Sequence, residues 1–158
     1  MQLSLWQRVR TRLFLFLVAL KRRLTLGVRA VLIDGDKVLL IRQTYLPGWH
    51  FPGGGVEPHE TAETAAAREA AEETGYRVEG RPVLHGLFFN RSLGSDRDHV
   101  AVYVWRRFAS GGPFRPNLEV ADCQWFASDA LPSDVETGTA ARIREIFAGT
   151  SPPAEWEA

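Results

Sequence analysis

Three carboxylates on one helix face constrain this chain more than any other feature. Glu69, Glu72 and Glu73 fall within an arc of roughly 100° when successive residues turn by 100°. Like charges three and four residues apart repel by roughly 0.2–0.5 kcal/mol per pair. Gly75 reads as the residue that ends the helix in the left-handed conformation. Glu72 and Glu73 therefore sit in the last turn, where the helix dipole already disfavours negative charge. A cation must offset this, and for an all-oxygen cluster the candidates are Mg²⁺ and Mn²⁺. Taken alone, E-x-x-E-E is more often a solvated helix surface. Here it lies in GGVEPHETAETAAAREAAEETGY (residues 54–76), in which Gly54, Glu60, Arg68, Glu69, Glu72, Glu73 and Gly75 keep the spacing G-x5-E-x7-R-E-A-x-E-E-x-G-Y. At roughly 6–7% average usage per residue type, seven specified positions coincide by chance about once in 10⁸ to 10⁹ windows.

Local signals place this stretch on a helix from Ala62 to Thr74. The alanines favour helix, Thr61 suits the N-cap, and Glu63 falls in the first turn, where negative charge is welcome. The face away from the carboxylates carries Ala67, Ala70 and Ala71, small enough for close packing on a sheet.

These residues resemble the signature box of the Nudix hydrolases, metal-dependent enzymes that cleave a nucleoside diphosphate linked to another moiety. All seven defining positions match. Ala70 and Tyr76 occupy apolar slots, Ala70 being smaller than the usual Ile, Leu or Val, and His59 stands where Gly is common. The resemblance implies a Nudix domain over residues 24–148, an α/β/α sandwich with a mixed central sheet. It implies Glu69 and Glu73 as the main ligands of Mg²⁺ or Mn²⁺, with Glu72 sharing that role or accepting a proton from water. The carbonyl of Gly53 or Gly54 would complete the site. Glu60 and Arg68 would orient the catalytic groups, and Gly54 and Gly75 would shape the backbone. Glu119, outside the box, stands where such enzymes often place a further glutamate, as ligand or general base; its bland reading is an exposed loop acid. The expected substrate is a small-molecule nucleotide, its pyrophosphate attacked by water. The alternative is a non-catalytic domain that senses a nucleotide or metabolite, though such domains commonly lose box carboxylates and none is missing here.

Along the rest of the chain, TLGVRAVLIDGDKVLLIRQTY reads as two strands about the turn Asp34-Gly35-Asp36, since Asp-Gly supplies the backbone angles of a tight hairpin. LPGWHFPGGG is a loop. YRVEG and PVLHGLFFN read as strands and RSLGSDRD as a loop. HVAVYVWRRF reads as a strand covered on both faces, SGGPFRPN as a loop, and ADCQWFA as the last strand. Ile143, Ile146 and Phe147 share a helical face in TAARIREIFAG, and residues 149–158 read as a loose tail. Strands interspersed with two helices give an α/β sandwich on pattern alone.

Residues 1–33 hold seven basic and no acidic side chains in a chain of zero net charge, so the remainder is acidic. An acidic body argues against a broad nucleic-acid surface. Within residues 1–23, the apolar run Leu13–Leu20 is too short to span a bilayer. Two readings remain, a helix covering an apolar patch of this domain or a second subunit, and an interfacial helix on an anionic membrane. The expected location is cytoplasmic, with peripheral membrane contact under the second reading. A lone cysteine, Cys123, excludes internal disulfides and reads as a small core residue. For substrate selection the candidates are Arg42 for phosphate, Tyr45, Trp49 and Phe51 for stacking, and Asn90, Arg91, Asp98 and His99 flanking a loop at the pocket rim.

Overall fold

The computed structural model describes residues 24–92 and 95–157. Its centre is a five-stranded mixed sheet built from β1 (Thr25–Asp34), β2 (Lys37–Gln43), β4 (Val83–Ser92), β5 (Ser95–Trp105) and β7 (Val120–Ala127) in the order β4-β5-β1-β2-β7. β1 runs parallel to β5 and the other pairings are antiparallel. A two-stranded ribbon of β3 (Tyr76–Val78) and β6 (Phe108–Ser110) lies beside it. Helix α1 spans Ala62–Thr74 and helix α2 spans Thr137–Ala148.

Strand alternation explains why the sheet carries a layer on each face. Val31, Ile33, Val38, Leu40, Val100, Val102 and Val104 point to the α2 side, where Ile143 completes one buried cluster. Val28, Ala30, Leu32, Leu39, Ala101 and Trp105 point to the α1 side and meet Ala65, Ala66 and Ala70. The expectation that β5 is covered on both faces holds. The packing face of α1 is rotated about the helix axis towards the carboxylates, because Ala65 and Ala66 are fully buried whereas Ala67 and Ala71 are only half-buried. The caps match the sequence reading, as the Thr61 hydroxyl accepts from the Thr64 N–H at 3.1 Å and Gly75 closes the helix at φ 75°.

Two expectations change. The tail expected over residues 149–158 is not loose across its described part, residues 149–157. The Phe89 N–H donates to the Ala154 carbonyl at 2.8 Å, the Trp156 N–H donates to the Phe89 carbonyl at 2.9 Å, and Trp156 is buried in the α2-side core. An indole with a core slot to fill outweighs the Pro-rich segment leading to it. The loop expected over residues 91–98 is largely strand instead, with β4 and β5 paired out to Ser92 and Ser95. The helix expected within residues 1–23, with its dimer and membrane readings, lies outside the described residues. Among the described residues, no helix is long and apolar enough to cross a membrane.

Candidate active site

The site begins where the sheet splits. β1 and β2 pair directly only near their hairpin, at Ile33–Val38 and Asp34–Lys37. Beyond that point the glycine-rich segment is inserted between them. Ile41 and His50 exchange two backbone hydrogen bonds of 2.9 Å, while Val28 and Ala30 donate to the Gly54 and Pro52 carbonyls at 2.8 Å. The segment satisfies both strand edges, as buried backbone requires, and holds Gly53 and Gly54 under the end of α1. A side chain at Gly53 would strike the Val28 carbonyl, and one at Gly54 would strike the Glu69 carboxylate.

Glu73 is 5% exposed and accepts a 2.7 Å hydrogen bond from the Gly53 N–H. Burial pushes its carboxyl up to about 7; the Gly53 N–H opposes that rise and the neighbouring Glu69 charge adds to it. Arg68 is the hub of the other acids. It grips Glu60 with Nη2–Oε1 at 2.9 Å and Nε–Oε2 at 3.3 Å, and it donates from Nη1 to Glu69 at 2.8 Å and to Glu72 at 3.1 Å. Its Nη2 also reaches the Gly55 carbonyl at 3.3 Å. The guanidinium thereby ties the glycine segment to the carboxylate face, and the Arg68 hydrogen bond holds the Glu60 carboxyl below the usual range. His59, where Gly is common, adopts φ 72°, a conformation that disfavours side chains with a Cβ.

Among the described residues, no three acidic, His or Cys side chains already converge as a finished metal cage; Arg68 occupies part of the space between Glu69 and Glu72. The donor set nevertheless fits a hard divalent ion. It is all oxygen, it includes the buried carboxylate of Glu73, and the absent Cβ of Gly54 leaves room for Glu69.

Glu119 lines a cavity of about 280 Å³ with Glu72, Glu73, Asn117 and Leu118. Its loop is shaped by the Asn117 side chain, which accepts from the Glu119 and Val120 N–H groups at 2.8 Å, and is fastened to the end of β2 by Thr44. Leu118, 95% exposed, overhangs this cavity. On the other side of Gly53, a cavity of about 290 Å³ is lined by Arg29, Gln43, Tyr45, Gly53, Gly54 and Asp98, among others.

Several candidate substrate contacts lie elsewhere. Trp49 and Phe51 are core residues; Trp49 packs edge-on against Phe126 at 4.8 Å and Phe51 is 1% exposed. Their apolar area decides this, since a stacking platform must stay open. Arg42 is paired with Asp134 at 2.8 Å and lies over the Trp49 ring at 4.8 Å. Asn90 donates to Asp98 at 2.9 Å, and His99 sits against Phe89 with its ring centroid 5.6 Å away. Neither lines the two cavities. Tyr45 does line one of them. Sequence reading missed Arg29 and Gln43, whereas Asp98, read as flanking a rim loop, does line this cavity. A lone Arg between apolar residues in a strand was the one available signal. Burial pushes the Cys123 thiol up to about 12, in keeping with a core residue.

A family model described as NUDIX domain matches residues 23–148. A MutT-like protein of Streptomyces ambofaciens is 33% identical over 129 residues, covering 81% of this chain and 80% of that one. An RNA pyrophosphohydrolase of Dinoroseobacter shibae is 46% identical over 71 residues, covering 43% of each, so the chain spans under half of that relative. The crystal structure of a MutT NUDIX hydrolase from Burkholderia pseudomallei superposes with a TM-score of 0.69 at 25% identity, covering 77% of this chain and 97% of that one.

Proposed function

Since the chain belongs to the NUDIX family, we propose that it hydrolyses a pyrophosphate bond in a nucleoside diphosphate linked to another moiety, with Mg²⁺ or Mn²⁺ as cofactor. The observation that carries this reading is Glu73, a buried carboxylate fixed by the Gly53 N–H, beside Glu69 on the same helix face. Glu69, Glu72 and Glu73, with the carbonyl of Gly53 or Gly54, would hold the ion. Bound there, it supplies neutralisation of the anhydride charge and a lowered pKa for water.

The chain's own residues supply positioning. The Gly53 N–H restrains one oxygen of Glu73, and Arg68, steadied by Glu60, restrains Glu69 and Glu72. Glu119 is the general-base candidate, because its loop brings it into one cavity with Glu72 and Glu73. Tyr45 is the candidate for stacking on a base, supported by its place in the lining of the other cavity. Every box carboxylate is present, which tells against the non-catalytic sensor reading.

A screen of nucleotide sugars, ADP-ribose, dinucleoside polyphosphates, oxidised nucleoside triphosphates and 5′-triphosphate RNA, each with Mg²⁺ and Mn²⁺, tests the reading. Release of a nucleoside monophosphate, pyrophosphate or phosphate from one class, stopped by EDTA, is the expected outcome. Binding without turnover across the panel would instead establish the sensor.

One variant checks the carboxylate geometry. Gly54→Ala places a methyl group against Glu69 and moves a ligand without removing it. Turnover is expected to fall about 10- to 100-fold, the cost typical of disturbing the surroundings of a metal ligand. Melting should change little, because the displaced atoms end a flexible side chain.

A further inference from the structure

We propose that Arg29 is an anion-binding residue of this chain, its guanidinium receiving the phosphate that lies on the Tyr45 side of Glu73. The proposal rests on the functional reading above and deepens it by naming a residue that contacts substrate without contacting metal.

Arg29 breaks the pattern of β1. It lies between the fully buried Val28 and Ala30, on the strand face that carries Val31 and Ile33 into the α2-side core. Holding a long cation there costs both desolvation and side-chain entropy, and the backbone around it is built to make room. A Cβ on Gly53 would come within 3.0 Å of Arg29 Cα and Cδ. The bare Gly53 backbone therefore lies against the Arg29 stem while its N–H bonds to Glu73.

The guanidinium is underused. Of its five N–H donors, Nη1 bonds to the Val28 carbonyl at 3.0 Å, and among the described residues Arg29 makes no ion pair. Its charged neighbours are all acidic or, like Tyr45, acid-capable: Glu73, Glu136 and Asp98 influence it from α1, the start of α2 and β5. Asp98 is already engaged by Thr25 and Asn90, at 2.8 and 2.9 Å. Arg29 instead borders the cavity of about 290 Å³ shared with Gln43, Tyr45 and Gly53–Gly55. A polyanion entering this acidic region needs fixed positive charge, and a planar fork of donors matches phosphate oxygens. An Arg serving only as countercharge to Glu73 would need no cavity.

Calorimetric titration of the metal-free full chain with inorganic pyrophosphate in EDTA reads the proposal without turnover. Arg29→Gln should weaken binding at least tenfold. Arg29→Lys, which keeps charge and stem but loses the fork, should weaken it at least threefold and covers the case in which the Gln variant does not fold. With metal and the substrate found by screening, KM of Arg29→Gln should rise about 10- to 100-fold while kcat stays within threefold. Wild-type pyrophosphate affinity in both variants, or a loss confined to kcat, overturns the proposal. A wild-type chain that binds pyrophosphate through Arg29 yet hydrolyses nothing would sink the functional reading and leave this one standing.

Discussion

Glu73→Gln is expected to yield a chain that folds, outlasts wild type on heating at pH 8 in EDTA, and turns over substrate about 10²- to 10⁴-fold more slowly. Both effects come from one carboxylate. Its pKa rises from an ordinary 4.5 to about 7 in the folded chain, so the folded state holds this proton more tightly than the unfolded state does. Stability from this group is therefore fully present below pH 4.5, declines as pH rises, and is gone above about pH 7. The loss amounts to at most about 3 kcal/mol. Gln keeps an acceptor for the Gly53 N–H and carries no charge to desolvate. In EDTA, wild type should lose several degrees of melting temperature between pH 5 and pH 8 that the variant retains. Added Mg²⁺ should restore wild type and leave Glu73→Gln unmoved. Parallel pH profiles for the two proteins would show that Glu73 is not the strained group, and substantial turnover by the variant would remove it from the metal site.

The outcome also bears on why this site was so legible. Metal chemistry demands specific residue types at specific offsets, and α1 is one continuous element, so spacing converts directly into geometry. Thr61, Gly75 and the helix between them could be read from local physics, as could the Asp34-Gly35 hairpin. Glu60 and Arg68, given orienting roles by the resemblance, are an ion pair in the fold. Packing faces were harder, and Ala65 rather than Ala71 is the buried partner because the sheet's position sets the contact.

What lies outside the box depends on contacts distant in sequence, and there single residues mislead. Trp49 and Phe51 sit four and two residues before the glycines in a segment that looks like an open loop. That segment is a filler between two strands, and strand geometry sends both rings into the core. Arg42 and Arg29 look alike on paper. One is on the surface with Asp134, and the other is drawn into the site because β1 and β2 separate beside it. No local pattern encodes that separation. The parallel pairing of β1 with β5, some seventy residues away, brings Asp98 to the cavity and is equally invisible locally.

The C-terminal segment gives the second large effect. Arg142 is completely buried, bonds Glu145 at 2.6 and 2.7 Å, and donates to the Glu155 and Trp156 carbonyls at 3.2 and 3.1 Å. It stacks over Phe88 at 4.3 Å, and Trp156 packs edge-on against the same ring at 5.7 Å. The Trp156 indole also donates to Glu136, the N-cap of α2, at 3.3 Å. One cation thus fastens α2, β4 and the final residues together. Arg142→Ala would leave Glu145 with only His85 and deprive the Glu155 carbonyl and the buried Trp156 carbonyl of their donor. It would also open a cavity between two aromatic rings. Breaking a buried pair in this way costs about 3–5 kcal/mol, or about 10–15 °C for a domain of this size. Deleting residues 150–158 should cost a similar amount, and combining it with Arg142→Ala should cost far less than the sum, because both remove the same contacts. Thermal melts of the three variants check this. Since Arg142 lies on the α2 side of the sheet and the carboxylates on the α1 side, kcat of Arg142→Ala measured well below its melting point should match wild type. A loss of kcat there would mean that the two faces are coupled through the sheet; additive destabilisation would mean that Arg142 does not hold the C-terminal segment.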